Sequence, residues 1–177
     1  DSKIQSMKDL KGKKIGVIGM ASASAIIVRA LAKEEGMDPD KDISVVVAAE
    51  AGQTAALVRN GSVDALSQFD TQYALVENAG VKLRRLKHPS IDKFPSNGFI
   101  AMEDTLVKNR KEAVAIAQGY AMGTLFALNN PEAAIRLLWE MWPQTKSTSK
   151  DEATALAQDI STLNARAVSW RLESVGA

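Results

Sequence analysis

The sequence predicts an α/β protein built on a parallel sheet, and three observations carry that expectation. Ile15, Val17 and Ile18 form a near-continuous apolar run of the kind carried by strands buried on both faces, and Ala25-Ile26-Ile27-Val28-Arg29-Ala30-Leu31 then switches to helical patterning. A β-branched run, Ile43-Ser44-Val45-Val46-Val47, follows that helix. A strand, a helix and a second strand in that order imply parallel pairing through a right-handed crossover. Beyond residue 102 the patterning turns helical, so the chain divides into an α/β part, residues 1–95, and a mostly helical part, residues 96–177.

Taken in order, Ser6-Met7-Lys8-Asp9-Leu10-Lys11-Gly12 reads as a turn of helix closed by glycine before the first strand. The first long helix stops at Gly36, and Met37-Asp38-Pro39-Asp40 turns the chain into the second strand. Residues 51–59 predict a short helix, ended by Asn60-Gly61-Ser62. Val63-Asp64-Ala65-Leu66-Ser67 predicts a brief third strand, and Asp70 is placed to cap a helix over residues 71–78, which Gly80 ends. Val81-Lys82-Leu83-Arg84 alternates apolar and basic, as a half-exposed edge strand does. Ser96-Asn97-Gly98 predicts a turn into a further apolar strand through Met102, with Gly98 as either a close backbone approach or a bend, and so a hinge.

In the helical part, Asp104 is expected to cap a short helix ending near Asn109. Residues 111–128 predict a long Ala-rich helix with its apolar positions at Val114, Ala117, Ala121, Leu125 and Leu128. Asn129-Asn130-Pro131 breaks it, and Pro131 sits at the first position of the next helix, which runs to Met141. Trp139 and Trp142, three apart, are expected to pack in the core. Ser147-Thr148-Ser149 is expected to cap a last helix from near Lys150 through Leu156, Ile160 and Leu163.

Composition narrows the function classes. Of 177 residues 22 are Lys or Arg and 21 are Asp or Glu, a net charge of +1 that supplies no field for nucleic acid or an anionic membrane. No apolar run approaches the ~20 residues of a membrane span, so no membrane insertion is expected. The absence of cysteine removes thiol catalysis and thiolate metal sites. His88, the sole histidine, lies in a loop beside Pro89, where a surface position is expected. No metal site, cofactor or catalytic set is expected, and the protein is read as a binding protein and not as an enzyme.

The candidate site lies at the turn after the first strand. A helix that starts at the carboxyl end of a buried strand offers unpaired N–H groups and a positive dipole end to a small anion or polar head group, and Ser22 and Ser24 either add hydroxyls there or serve as an ordinary N-cap. The glycines fit no nucleotide fingerprint, since Gly16 and Gly19 are followed by neither a third glycine nor a Gly-Lys-Ser/Thr.

Asp9-Leu10-Lys11-Gly12-Lys13-Lys14-Ile15-Gly16-Val17 resembles the opening of the second lobe in ABC-transporter solute-binding proteins, in the branch serving taurine and alkanesulfonates, nitrate and thiamine precursors. Gly36-Met37-Asp38-Pro39-Asp40, Asn60-Gly61-Ser62-Val63-Asp64-Ala65, Phe94-Pro95-Ser96-Asn97-Gly98-Phe99 and Asn130-Pro131-Glu132-Ala133-Ala134 continue the resemblance in order. It implies a periplasmic-binding-protein-like fold, with one near-complete α/β lobe plus a helical portion of the other. It also implies a small-molecule solute held between lobes, ABC permease membrane subunits as partners, and a periplasmic or other extracytoplasmic location.

By this similarity Ser22, Ala23 and Ser24 contact the solute, Gln68, Phe69 and Asp70 face the same cleft, and Asn97 and Gly98 lie at the crossover near the hinge. The segment Gln68-Phe69-Asp70 differs from the Trp-Glu-Pro type of sequence common in the branch. The chain opens where the family's second lobe opens, so one lobe supplies half of a clamshell and strong affinity is not expected of it alone. The competing expectations are an enzyme on the same fold, of the pyrimidine-synthase or menaquinone-pathway type, and the effector domain of a LysR-type regulator. The cysteine-rich motif of the pyrimidine synthases is absent from this sequence.

Overall fold

The computed structural model of the chain describes residues 2–48, 51–91, 98–168 and 170. It comprises two compact units, residues 1–94 and 95–177.

Unit 1 is an α/β body. Strands β1 (Lys14–Val17), β2 (Ser44–Val47) and β3 (Ala65–Ser67) form a parallel sheet in the order β2-β1-β3. Gly16 stands opposite Val46 on one side and Leu66 on the other, and Val17 stands opposite Val47 and Ser67. Helices α1 (Ala23–Glu34), α2 (Ala51–Arg59) and α3 (Asp70–Asn78) each follow a strand. The chain moves from β1 to one neighbour and then past β1 to the other. Right-handed crossovers therefore place α1 and α2 on opposite faces of the sheet.

The packing bears this out. Ile15 and Val17 pack with Ala25, Val28, Leu31 and Ala32 of α1, while Leu66 packs with Ala55 of α2 and Val76 of α3. Met7 and Leu10, from a 3-10 turn over Met7–Leu10, close the α1 side. Gly36 and Gly80 adopt φ of +79° and +85° as α1 and α3 end, a backbone region that favours glycine.

Gly16 serves packing. A Cβ there would lie 2.7 Å from Ala48 Cβ and 2.9 Å from Leu66 Cδ2.

Two expectations for unit 1 are overturned. Residues 81–84 join no sheet, although Val81 is buried and Lys82 and Arg84 are exposed as the alternation required. The Arg84 guanidinium instead donates to Gln5 Oε1 at 2.7 Å and to the carbonyls of Ser2 and Ile4. Alternation reports which side of a segment is covered, not whether a strand lies beside it. His88 is buried rather than on the surface, its side chain 6% exposed, because Nε2 meets Glu35 Oε1 at 3.1 Å and Nδ1 accepts from the Ser90 N–H at 3.2 Å.

Two carboxylates of unit 1 that gather backbone donors make its stability depend on pH in the acid range. The Gln5 N–H, then the Ser6 N–H, hold the Asp9 carboxyl below its ordinary value, and the Asp38 N–H, then Lys11, do the same for Asp42. A carboxyl depressed by folding stabilises above its unfolded pKa of about 4 and loses that contribution as pH falls through the lowered value. Asp9→Asn is therefore expected to lower the melting temperature at pH 7 and to leave it unchanged near pH 2. Thermal melts at both pH values check this, and equal losses at both would remove the titration from the account.

Unit 2 contains α4 (Glu103–Lys108), α5 (Arg110–Asn129), α6 (Pro131–Met141), a 3-10 turn over Pro143–Thr145 and α7 (Glu152–Ala167). Its core is small: Ile135, Trp139 and Ala155, with Leu156, Ile160 and Leu163 packed against them. Residues 98–102 form no strand, and Ile100 is 99% exposed, since no strand among the described residues pairs with them. Nor does the α5 stripe define a buried face, because Val114, Ala117, Ala121 and Leu125 are exposed.

Trp139 is buried as expected, whereas Trp142 is 47% exposed where α6 ends. Asp104 falls in the first turn of α4 behind an N-cap at Met102. Asp151, not the serines and threonine at 147–149, caps α7, its carboxylate accepting from the Thr154 N–H at 2.7 Å and Thr154 Oγ1 at 3.1 Å. Ser147 is drawn inward to Asp159 instead.

Candidate functional site at the carboxyl edge of the sheet

An open parallel sheet in the order β2-β1-β3 has its crevice at the carboxyl ends of the strands, where connections leave β1 in opposite directions. Three turns of unit 1 meet at that edge, after Val17, Val47 and Ser67.

The first turn begins α1. Ser22 is the N-cap residue, extended at φ −79° and ψ 154°, yet its hydroxyl does not cap the helix. It donates to the Gly19 carbonyl at 2.5 Å and lies 2.6 Å from Ser24 Oγ. With its own proton given to Gly19, Ser22 Oγ accepts from Ser24, and both hydroxyl protons point into the turn. In this arrangement both serine hydroxyls are engaged with each other and with Gly19. The amides of Ala23 and Ser24 at the start of α1 have no acceptor among the described residues. Ala23 is exposed, while Ser24 is 3% exposed.

The third turn is tied to the first, since Ser67 Oγ donates to the Ser24 carbonyl at 2.8 Å. Gln68 follows and is 9% exposed. Its N–H donates to the Tyr73 hydroxyl at 2.8 Å, and burial pushes that hydroxyl up from its ordinary pKa, keeping it protonated. The Gln68 side chain reaches past the end of β1 towards β2, where Nε2 donates to the Ala48 carbonyl at 3.2 Å. Ala48 also accepts from Thr54 Oγ1 at 2.6 Å. Gln68 Oε1 is buried and has no hydrogen-bond donor among the described residues.

Phe69 is exposed and occupies the N-cap position of α3. Asp70, expected as the cap, is instead the first helical residue, with Oδ1 accepting from the Thr71 N–H at 2.7 Å.

The edge thus brings Ser22, Ala23 and Ser24 together with Gln68, and Phe69 and Asp70 follow directly. Gly98 belongs to unit 2, and Asn97 lies outside the described residues. Among the described residues, a Cβ at Gly98 would meet no atom within 4 Å, which leaves the bend of the two readings. Sequence reading passed over Ala48, Thr54, Ser67 and Tyr73. Strand-end logic applied to the second and third strands as it was to the first would have found Ala48 and Ser67.

A parallel α/β unit with free helix-start amides at its switch point defines a protein suited to hold a small polar molecule. The family model described as NMT1/THI5 like matches residues 1–134, and the chain belongs to that family, which includes ABC solute-binding proteins. Family and fold together support a role in binding a small solute. No curated protein matches the sequence closely enough to extend this comparison. Among the described residues, no helix is long and apolar enough to cross a membrane.

Proposed function

We propose that the protein is the solute-binding component of an ABC importer, working outside the cytoplasm and handing its solute to membrane permease subunits, with no chemistry of its own. The solute is a small polar or anionic organic molecule, with sulfonates, nitrate and thiamine precursors as the candidate classes. The observation that carries the reading is the pair of unpartnered amides at Ala23 and Ser24, set at the carboxyl end of the central strand. They offer two N–H donors and the positive end of a twelve-residue helix to one acceptor group of the solute. Enclosing the solute at this edge would exclude water from those bonds.

A thermal-shift screen of the full-length gene product against sulfonates, nitrate, carboxylates and pyrimidines tests the reading, because a ligand of the native state raises the melting temperature. A clear hit supports it, and a folded protein that answers to none of them overturns it.

Ala23→Pro probes the site itself. Proline at the first helical position keeps the helix and removes one amide, and the extended Ser22 is compatible with a following proline. The expected result is an unchanged melting temperature with affinity about tenfold weaker, the loss of one hydrogen bond. Unchanged affinity by calorimetry would remove the α1 start from the site.

A further inference from the structure

The fold does not explain Gln68. Of its two polar ends, Nε2 holds a carbonyl that Thr54 already holds more closely, at 2.6 Å against 3.2 Å. The other end, Oε1, is shut off from solvent without a donor among the described residues. An unsatisfied buried carbonyl oxygen destabilises a fold, and methionine would fill the same space without that penalty. The residue therefore costs the empty protein something and gives its packing little.

The surroundings indicate what such an acceptor serves. The described residues of the turns at this edge, 18–24, 48, 51–54 and 68–73, contain no Lys, Arg or His. The hydroxyl protons of Ser22 and Ser24 are spent within the first turn. Of the groups traced above, the Ala23 and Ser24 amides and Gln68 Oε1 are left without a partner among the described residues.

We infer that Gln68 is a specificity-determining residue: on binding, its carboxamide turns away from Ala48 and Oε1 accepts an N–H or O–H of the solute, while the α1 amides engage an acceptor on the same head group. This rests on the solute-binding reading and narrows it. The turn is inexpensive because the Ala48 carbonyl keeps Thr54 Oγ1 when Gln68 leaves. It also gives the orphaned oxygen a donor, so the relief appears only in the complex. The solute class selected is a neutral or cationic head with a donor beside an acceptor, as in amides, amidines and amino-substituted nitrogen heterocycles. Sulfonates, nitrate and carboxylates carry no donor for Oε1.

The test compares wild type with Gln68→Met in the full-length gene product, by thermal shift and calorimetry. One probe set is 4-aminopyrimidine, cytosine and nicotinamide, and the other is ethanesulfonate, nitrate and succinate. The first set is expected to bind wild type and the second not. Gln68→Met without ligand is expected to melt about 2 °C above wild type, and its affinity for the bound probe to fall about tenfold. A structural glutamine would give the opposite pattern, a lowered melting temperature with affinity intact, and that result overturns the inference. Binding of the anionic set alone also overturns it while leaving the solute-binding reading standing. If none of the six binds and the wider screen is silent, the reading and the inference fall together.

Discussion

Gly16→Ala is expected to destabilise unit 1 by about 2–3 kcal/mol, as overpacking of a well-filled core does. The added Cβ would meet Ala48 Cβ at 2.7 Å, Leu66 Cδ2 at 2.9 Å and Val63 Cγ1 at 3.1 Å. Leu66 can turn its side chain, but Ala48 Cβ is fixed to the backbone at the end of β2, so relief requires β1 and β2 to shift. The stiffer unfolded chain of an alanine variant returns only about 0.4–1 kcal/mol. Ala48 also carries the carbonyl that Thr54 and Gln68 hold, so a shift of β2 disturbs the candidate site. Urea denaturation measures the loss, and a cost under about 0.5 kcal/mol would show that the sheet yields at this point. Gly16→Val, with two further methyl groups in the same space, is expected to abolish folding of the unit.

In unit 2 the largest effect is expected at Asp159. Its carboxylate, 9% exposed as a residue, accepts from Trp139 Nε1–H at 2.8 Å, from the Ser147 N–H at 3.1 Å and from the Ser147 hydroxyl. One side chain thus joins α6, α7 and the loop between them. Asp159→Ala leaves the Trp139 and Ser147 N–H groups without their acceptor, at about 1–3 kcal/mol each. With a core as small as Ile135, Trp139 and Ala155, a total of about 3–5 kcal/mol is expected to unfold the α6–α7 pair. Tryptophan fluorescence follows the change, since Trp139 moves from a buried site into water. A native emission maximum and an unchanged urea midpoint would exclude the carboxylate as the organiser of this unit.

The family resemblance and the α/β frame were legible because their signals are local. β-Branched runs, glycine stops and a proline at a helix start act within a few residues, so β1, α1, β2, α2, β3 and α3 fall close to their expected places. The start of α1 was legible as a candidate site for the same reason, since unpaired amides follow from helix geometry alone.

Errors arose where an outcome depends on a distant partner. Residues 81–84 carry the alternation of an edge strand, yet Arg84 is engaged by Gln5 and the carbonyls of Ser2 and Ile4, some eighty residues earlier. His88 is buried because Glu35 lies beside it. Ser147 does not cap α7 because Asp159 draws it inward and Asp151 takes the cap position.

The sequence by itself determined that this chain is an α/β protein with a receptive helix start after its first strand, since strand and helix propensity and the direction of backbone amides are properties of short segments. Only the tertiary structure decided which groups at that start are free. Ser67 was brought to the Ser24 carbonyl, and Gln68 was brought past β1 to a carbonyl already occupied by Thr54. A hydrogen bond is settled by which groups compete for each donor and acceptor, and that competition exists only after segments far apart in the chain have packed together.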